Sequence, residues 1–257
     1  MTARGTVTVK RMNILVTNDD GVTSEGIKTL QKELSEDHDV WVLAPESDRS
    51  GSSHCITLNG PVKIKQHDER VFSASGTPVD CVLLSMLGAL PVTPDAVISG
   101  INLGPNLGSD ITFSGTTAGA RQGTIMKRPS IAVSLGSYTP PFHCATAARF
   151  VRNNLDTLIS LWDKNHFINI NVPNVEAVPE KVEITTLSNP RYESTLHSFT
   201  SPKGEGFYFF RGFPKEIQPE PGTDMHAVLH GIISISPIFL LPVLYDHEGK
   251  YRPELFR

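Results

Sequence analysis

Apolar runs of strand length alternate with amphipathic segments of helix length in this chain, and this alternation limits the fold more than any other feature. Residues 13–17 form an apolar run that predicts a buried strand, and residues 24–37 carry apolar side chains at helical spacing. A second apolar run, at residues 39–44, completes a strand–helix–strand unit. Such a unit needs a crossover connection, so it predicts parallel neighbouring strands.

The same alternation continues as far as residue 173. After the first unit the sequence predicts a hairpin at 56–64 that turns at Asn59 and Gly60. Predicted helices then alternate with predicted strands. The helices lie at 77–90, 114–127 and 142–162, and the strands at 95–99, 130–134 and 167–171. This order predicts an α/β fold, a three-layer Rossmann-like sandwich around a mainly parallel sheet.

The sequence changes character after Pro173. Strand-like runs recur at 182–187, 207–211 and 232–236, separated by turns rich in proline and glycine, with no strong helix pattern. We expect a single domain over residues 13–257. Its core would be residues 13–173, and residues 174–257 would be a β-rich C-terminal extension that could act as an arm swapped between subunits. Residues 1–12 are expected to be a flexible leader.

The charge balance excludes one class of function. The chain has 23 Lys and Arg residues against 27 Asp and Glu residues, a formal net charge of −4. Proteins that coat nucleic acid depend on an excess of basic side chains, so no such coating is expected.

The longest apolar stretch, residues 232–245, is broken by serines and prolines, so no membrane span is expected. Three cysteines at no metal-binding spacing, and no signal-peptide pattern, predict a cytoplasmic protein.

Two adjacent carboxylates follow the first predicted strand. Asp19 and Asp20 lie at its carboxyl end, where open α/β sheets bind their ligands. Neighbouring carboxylates repel each other unless a cation lies close by, and hard oxygen ligands select Mg²⁺, Mn²⁺ or Ca²⁺. Alternatively, the two residues only cap the turn at Gly21. The motif alone leaves both interpretations open.

A glycine-rich, polar and almost uncharged segment follows a later predicted strand. Six of the 20 glycines lie between residues 100 and 123, together with only two charged residues. Ser114, Gly115 and Thr116 open a predicted helix, and hydroxyls and backbone N–H groups at such a start bind anions without Lys or Arg. The last two glycines of the segment, Gly119 and Gly123, are better explained by close helix packing.

Two other segments carry weaker signals. The loop at 45–54 offers Arg49 and several serines at the same sheet edge, although an ordinary polar loop has the same composition. His226 and His230 have the spacing of a zinc-binding helix, but Ala227 stands where the catalytic glutamate would be. The dinucleotide-binding glycine fingerprint is missing, which counts against an oxidoreductase or glycosyltransferase on a Rossmann-like sheet.

Taken together, five motifs resemble those of the SurE (survival protein E) nucleotidases. In the order and spacing of that family, they lie at residues 14–21, 44–50, 76–81, 99–106 and 114–116. The resemblance covers roughly residues 12–136 and continues more weakly through 223–237. Five motifs in this order and spacing identify the family far more specifically than any one of them alone.

The resemblance implies a divalent-metal-dependent phosphomonoesterase that hydrolyses nucleoside 5′- and 3′-monophosphates, with activity on short polyphosphate. It implies catalytic residues Asp19 and Asp20, one Mg²⁺ or Mn²⁺ ion held by Asp19, Asp20, Ser50 and Asn102, and phosphate contacts from Asn106, Ser114, Gly115 and Thr116. It also implies an exchanged C-terminal arm and a homodimer or homotetramer.

Two questions stay open at this point. Asp19 is the candidate general base and Asp20 the candidate metal ligand, but an attack by Asp19 on phosphorus is the alternative mechanism. The alternative function is a nucleotide-binding sensor without catalysis, because one fold hosts many functions.

Overall fold

The computed structural model describes residues 11–189, 192–214 and 218–242. The expected flexible leader therefore lies outside the described residues, apart from Arg11 and Met12. The α-helices are α1 (Glu25–Leu34), α2 (Pro78–Leu84), α3 (Gly115–Ile125), α4 (Cys144–Leu161) and α5 (Asp224–Leu229). The strands are β1 (Asn13–Thr17), β2 (Asp39–Pro45), β3 (Ile64–Asp68), β4 (Val71–Ala74), β5 (Ala96–Asn102), β6 (Ser130–Leu135), β7 (His166–Val172), β8 (Val182–Ile184), β9 (Tyr192–Thr200), β10 (Gly206–Pro214) and β11 (Ile233–Phe239).

The described strands form a nine-stranded sheet and a separate hairpin. The large sheet has the order β3-β4-β2-β1-β5-β6-β7-β11-β8, and its neighbours pair in parallel except at β3–β4 and β7–β11. Among the described strands, β9 and β10 pair only with each other. Strands β8 and β11 come from the region after residue 173, so this region supplies one edge of the main sheet. The predicted α/β class with a mainly parallel sheet is confirmed.

Helices cover both faces of the sheet, because its central strands are apolar on both sides. Along β1, Ile14 and Val16 join the core beneath α1 and α4, whereas Leu15 faces the core beneath α2. On α1, Ile27, Leu30 and Leu34 are buried as the helical spacing predicted. The three-layer arrangement follows directly from this alternation of side chains.

The hairpin predicted at residues 56–64 is wrong. The structure places the hairpin later, in β3 and β4, and residues 56–63 form no strand. Pro61 lacks the N–H that a strand ladder needs. Thr57 uses its own backbone N–H and hydroxyl elsewhere, since both donate to the Asp80 carboxylate, at 2.9 and 2.7 Å.

The region after residue 173 also departs from expectation. The sequence indicated no strong helix there, but Thr223 caps the six-residue helix α5 by accepting a hydrogen bond from the His226 N–H. Strand β9 was not predicted, and the predicted strand at 207–211 lies within the longer β10. No helix among the described residues has the length and apolar composition that a bilayer crossing needs.

Asp80 connects the start of α2 to the preceding loop. Its carboxylate accepts hydrogen bonds from the Thr77 N–H, at 2.9 Å, and from Thr57, while the Thr77 hydroxyl caps the Asp80 N–H. Burial alone would raise the pKa of Asp80, but these hydrogen bonds lower it below its ordinary value. The predicted helix start thus also fixes residues 55–57.

We expect Asp80→Ala to lower the free energy of unfolding by about 2 kcal/mol, because it leaves the buried N–H of Thr77 and the partly buried N–H of Thr57 without an acceptor. Urea denaturation at pH 7 measures this change. Since the folded pKa is lowered, the contribution of Asp80 is present above the unfolded pKa and is lost as pH falls through the folded value. Asp156→Ala, at an exposed site on α4, is the matched control and should change stability by less than about 0.5 kcal/mol. Equal effects of the two substitutions would contradict this assignment.

Candidate active site

The candidate residues meet at the carboxyl edge of the sheet, where the loops after β1, β2 and β5 approach the start of α3. A cleft of about 310 Å³ opens at this edge. Six of the eight candidates line it: Asp19, Asp20, Ser50, Asn102, Asn106 and Ser114. Gly115 and Thr116 lie behind them and contact Asp19. The structure therefore brings all eight together, although it does not by itself assign their roles.

Asp19 is buried against the first turn of α3. The Thr116 hydroxyl donates to Asp19 Oδ1 at 2.5 Å. A Cβ on Gly115 would lie 2.8 Å from the Asp19 Cβ, so the close approach requires glycine at this position. Burial raises the pKa of Asp19, although hydrogen bonds from Thr116 and Gly115 oppose this rise. The start of α3 thus holds Asp19 in one orientation.

Asp20 is partly buried beside Asp19, and its ionisation is likewise disfavoured. Burial, together with the negative charge of Asp19, raises the pKa of Asp20 to about 6. One hydrogen bond opposes this rise, from the Leu103 N–H to Oδ2 at 3.3 Å. Two adjacent carboxylates with raised pKa values form a site at which a bound cation would be stabilised.

Asn102 and Ser50 add neutral oxygen atoms to the same cleft. The Asn102 amide nitrogen donates to the Gly104 carbonyl at 2.7 Å, which leaves the amide oxygen 3.5 Å from the Thr116 hydroxyl. The exposed Ser50 hydroxyl donates to Asp48 at 2.6 Å and keeps its lone pairs available. Two carboxylates, an amide and a hydroxyl form a set of hard oxygen donors that fits Mg²⁺ or Mn²⁺.

This set differs from common metal sites in its small number of charged ligands. Within the ranges that the structure describes, no three His, Cys, Asp or Glu side chains group so that they could hold a metal ion. His226 on the short helix α5 and His230 just after its end stack their rings at 4.1 Å, and the zinc interpretation gains no support from them. The candidate site reaches four ligands only with its two neutral oxygens.

The candidate phosphate residues surround the start of α3. Ser114 caps the helix by accepting a hydrogen bond from the Thr117 N–H at 3.1 Å. The backbone N–H groups of Gly115 and Thr116 form hydrogen bonds with Asp19. Any phosphate at this helix start would therefore share its donors with the Asp19 carboxylate, an arrangement that the sequence did not reveal.

Asn106 is fixed by residues that the sequence analysis missed. Its backbone N–H donates to Asn171 Oδ1 at 2.8 Å, and its carbonyl accepts from Asn169 and Asn171, each at 3.0 Å. Its amide nitrogen donates to the Ser134 hydroxyl at 2.7 Å, which leaves a second N–H for a ligand. The sequence signal that could have identified these residues is the presence of Asn169 and Asn171 at alternate positions of the otherwise apolar strand β7.

Asp224 connects the C-terminal region to the same loop. It is fully buried, and its carboxylate accepts from the Gly108 N–H at 2.7 Å and from the Ser188 N–H at 2.8 Å. Asp224 entered the sequence analysis only within the weaker resemblance at residues 223–237. The structure shows that it instead positions the glycine-rich loop.

The raised pKa of Asp20 gives a prediction for stability. The folded protein holds a proton on Asp20 more tightly than the unfolded chain, whose pKa is near 3.8. The resulting stabilisation is fully present below this pKa and is lost as pH rises through about 6. In the presence of a chelator at pH 8, Asp20→Asn should therefore raise the free energy of unfolding by about 1 kcal/mol.

Urea denaturation at pH 4 and pH 8 tests this prediction, because the difference from the wild type should nearly disappear at pH 4. The matched control is Glu46→Gln, at an exposed carboxylate after β2, which should change stability by less than about 0.5 kcal/mol. A variant less stable than the wild type at pH 8 would show that Asp20 is not electrostatically strained.

Comparison with known proteins identifies the family of this chain. The family described as survival protein SurE matches residues 14–194. A 5′-nucleotidase SurE of Kosmotoga olearia is 38% identical over 250 residues, which cover 95% of this chain and 98% of that protein. A 5′-nucleotidase SurE of Stenotrophomonas maltophilia is 41% identical over 235 residues, covering 88% and 89%. The crystal structure of the SurE protein of Aquifex aeolicus matches with a TM-score of 0.80 at 33% identity, covering 93% of this chain and 96% of that one. The chain therefore belongs to the SurE family.

Proposed function

We propose that the chain is a nucleotidase that hydrolyses nucleoside 5′-monophosphates, and also 3′-monophosphates and short polyphosphate, with one divalent ion. The observation that carries this proposal is the pair Asp19 and Asp20, whose raised pKa values coincide with a helix start and hard oxygen donors in one cleft. The names of the relatives support the same activity, since both are called 5′-nucleotidases.

Asp19, Asp20, Ser50 and Asn102 would hold the ion, and Mg²⁺ and Mn²⁺ both suit their oxygen atoms. When bound, such an ion polarises a phosphoryl oxygen and lowers the pKa of a bound water. The side chains of Asp20 and Asn102 are oriented before any ligand arrives, by the Leu103 N–H and the Gly104 carbonyl. This preorganisation reduces the cost of assembling the site.

Asp19 would act as the general base. Before an ion is bound, burial raises the pKa of this carboxylate, so it accepts a proton more readily than an exposed carboxylate does. Thr116 fixes one carboxylate oxygen and so leaves the orientation of the other defined. Asp20, which is less buried, would mainly coordinate the ion.

Phosphate contacts would come from Asn106, Ser114, Gly115 and Thr116. The second amide N–H of Asn106 and the Ser114 hydroxyl can both face a phosphoryl oxygen in the cleft they line. The positive end of α3 adds an attraction for anions that needs no Lys or Arg.

The proposal extends to assembly and organisation. We propose a homodimer or homotetramer in which the β9–β10 hairpin is the exchanged arm. Phe199 stacks on Phe207 and Phe209 at centroid distances of 5.0 and 5.9 Å, yet all three remain exposed. An exposed aromatic cluster of this kind is typical of a protein interface.

We also propose that residues 13–257 form one domain, with residues 13–173 as its core and residues 174–257 as its C-terminal extension. Residues 1–12 would be a flexible leader. A cytoplasmic location is part of the same proposal, since Cys55, Cys81 and Cys144 are all free thiols.

An assay of phosphate release tests the proposed activity. The purified protein should release phosphate from nucleoside 5′- and 3′-monophosphates when Mg²⁺ or Mn²⁺ is present, and a chelator should abolish the release. Asp19→Asn should lower kcat by about a hundredfold or more, because general-base catalysis contributes roughly 10²- to 10⁴-fold. Glu46→Gln is the control and should retain wild-type activity. Full activity of Asp19→Asn, or full activity in chelator, would defeat the proposal.

Sedimentation velocity tests the proposed assembly. The wild-type protein should sediment as a dimer or tetramer, and the double substitution Phe207→Ser, Phe209→Ser should shift it toward the monomer. Leu161→Ser, which removes an equally exposed apolar side chain from the end of α4, should leave the assembly unchanged. A monomeric wild type would overturn the proposed arm.

A further inference from the structure

Two aromatic side chains lie on the rim of the active-site cleft, largely exposed. Phe113 and Tyr138 line the same cleft as Asp19 and Asp20. Their exposed fractions are 65% and 68%, which is high for aromatic residues next to a buried polar site. Single exposed aromatic residues are common on protein surfaces, so the argument rests on how these two are held.

Tyr138 packs against the loop that carries two of the candidate site residues. A Cβ at Gly104 would lie 2.7 Å from Cδ1 and Cε1 of the ring, so the ring sits directly on the glycine. The Tyr138 hydroxyl donates to the Pro105 carbonyl at 3.3 Å. Gly104 also accepts the hydrogen bond that orients Asn102. The ring is therefore held beside the candidate ion site.

Phe113 lines the cleft just before the start of α3. It immediately precedes Ser114, the residue that caps α3. Its backbone N–H donates to the Asp110 carbonyl, and its carbonyl accepts from the Ser53 N–H, each at 3.0 Å. The backbone of Phe113 is thereby fixed, and its exposed side chain lines the cleft beside Ser114.

These positions suit the apolar part of a nucleotide. When the phosphoryl group is bound at Asp19, Asp20 and Ser114, the nucleoside part of the same molecule must extend outward past the rim of the cleft. An aromatic ring offers a flat apolar surface for a base, and this stacking accepts every base because each has a π face. A cleft of about 310 Å³ is large enough to hold part of a small ligand.

We propose that Tyr138 and Phe113 bind the nucleobase of the substrate by stacking. This inference rests on the proposed nucleotidase function and adds a base-binding subsite to it. The two rings would then determine the preference for nucleotides over other phosphomonoesters. The carboxylates and the start of α3 would bind the phosphate group, which all phosphomonoesters share.

Comparison of two substrates tests the subsite. AMP carries a base, and ribose 5-phosphate has the same sugar phosphate without one. Tyr138→Ala should lower kcat/KM for AMP about tenfold, in line with the loss of one stacking contact, and should lower the AMP to ribose 5-phosphate ratio by the same factor. Tyr138→Phe, which keeps the ring, should restore the ratio. Phe113→Ala should lower the ratio in the same direction.

Other outcomes would overturn the inference. An unchanged ratio in Tyr138→Ala and Phe113→Ala would show that neither ring contacts the base. An equal loss on both substrates would show that the ring only supports the Gly104 loop. Leu161→Ala serves as the control for loss of an exposed apolar side chain, and it should leave both substrates unaffected.

A binding measurement separates this inference from the proposed function. Calorimetric titration with adenosine needs no hydrolysis, so it still applies if the wild-type protein releases phosphate from neither substrate. Binding by the wild type that weakens about tenfold in Tyr138→Ala supports the subsite. Equal binding by the two proteins, or no binding by either, contradicts it.

Discussion

The burial of two adjacent carboxylates at the end of β1 is the constraint on which the rest of the site depends. The burial of Asp19, the partial burial of Asp20 and their mutual repulsion oppose ionisation, and the pKa of Asp20 rises to about 6. The chain offsets part of this cost with the positive start of α3, whose Thr116 hydroxyl donates to Asp19. Gly115 is needed because a larger residue would displace Asp19. The remaining excess of negative charge makes a divalent ion the natural complement.

The loop between β5 and α3 is held by buried polar contacts from distant parts of the chain. Asn171 on β7 accepts from and donates to the backbone of Asn106, and Asp224 at the start of α5 accepts from the Gly108 N–H. Leaving such buried groups unpaired would cost about 1–3 kcal/mol each. The C-terminal region therefore shapes the cleft, although none of the proposed metal ligands comes from it.

The sequence predicted the fold and the candidate residues well where the signal was local. The strand and helix spacing predicted β1, α1 and β2, and the helix predicted at 77–90 begins where α2 begins, although α2 ends at Leu84. The hairpin prediction was wrong because Asp80, 23 residues away, takes the Thr57 donors that a strand would need. Asn171 and Tyr138 were missed for the same reason, since their partners lie 65 and 33 residues away. Their roles come from contacts that spacing along the chain does not show.

Calorimetric titration with Mn²⁺ tests most directly the claim that these two carboxylates form a site for a divalent ion. The wild-type protein should bind one ion per chain at pH 8, and its affinity should fall as pH drops below about 6, because the proton on Asp20 must leave first. Asp20→Asn should bind Mn²⁺ far more weakly, while Glu46→Gln should bind it like the wild type. Equal affinity in Asp20→Asn and the wild type, or no binding by the wild type, would contradict the claim.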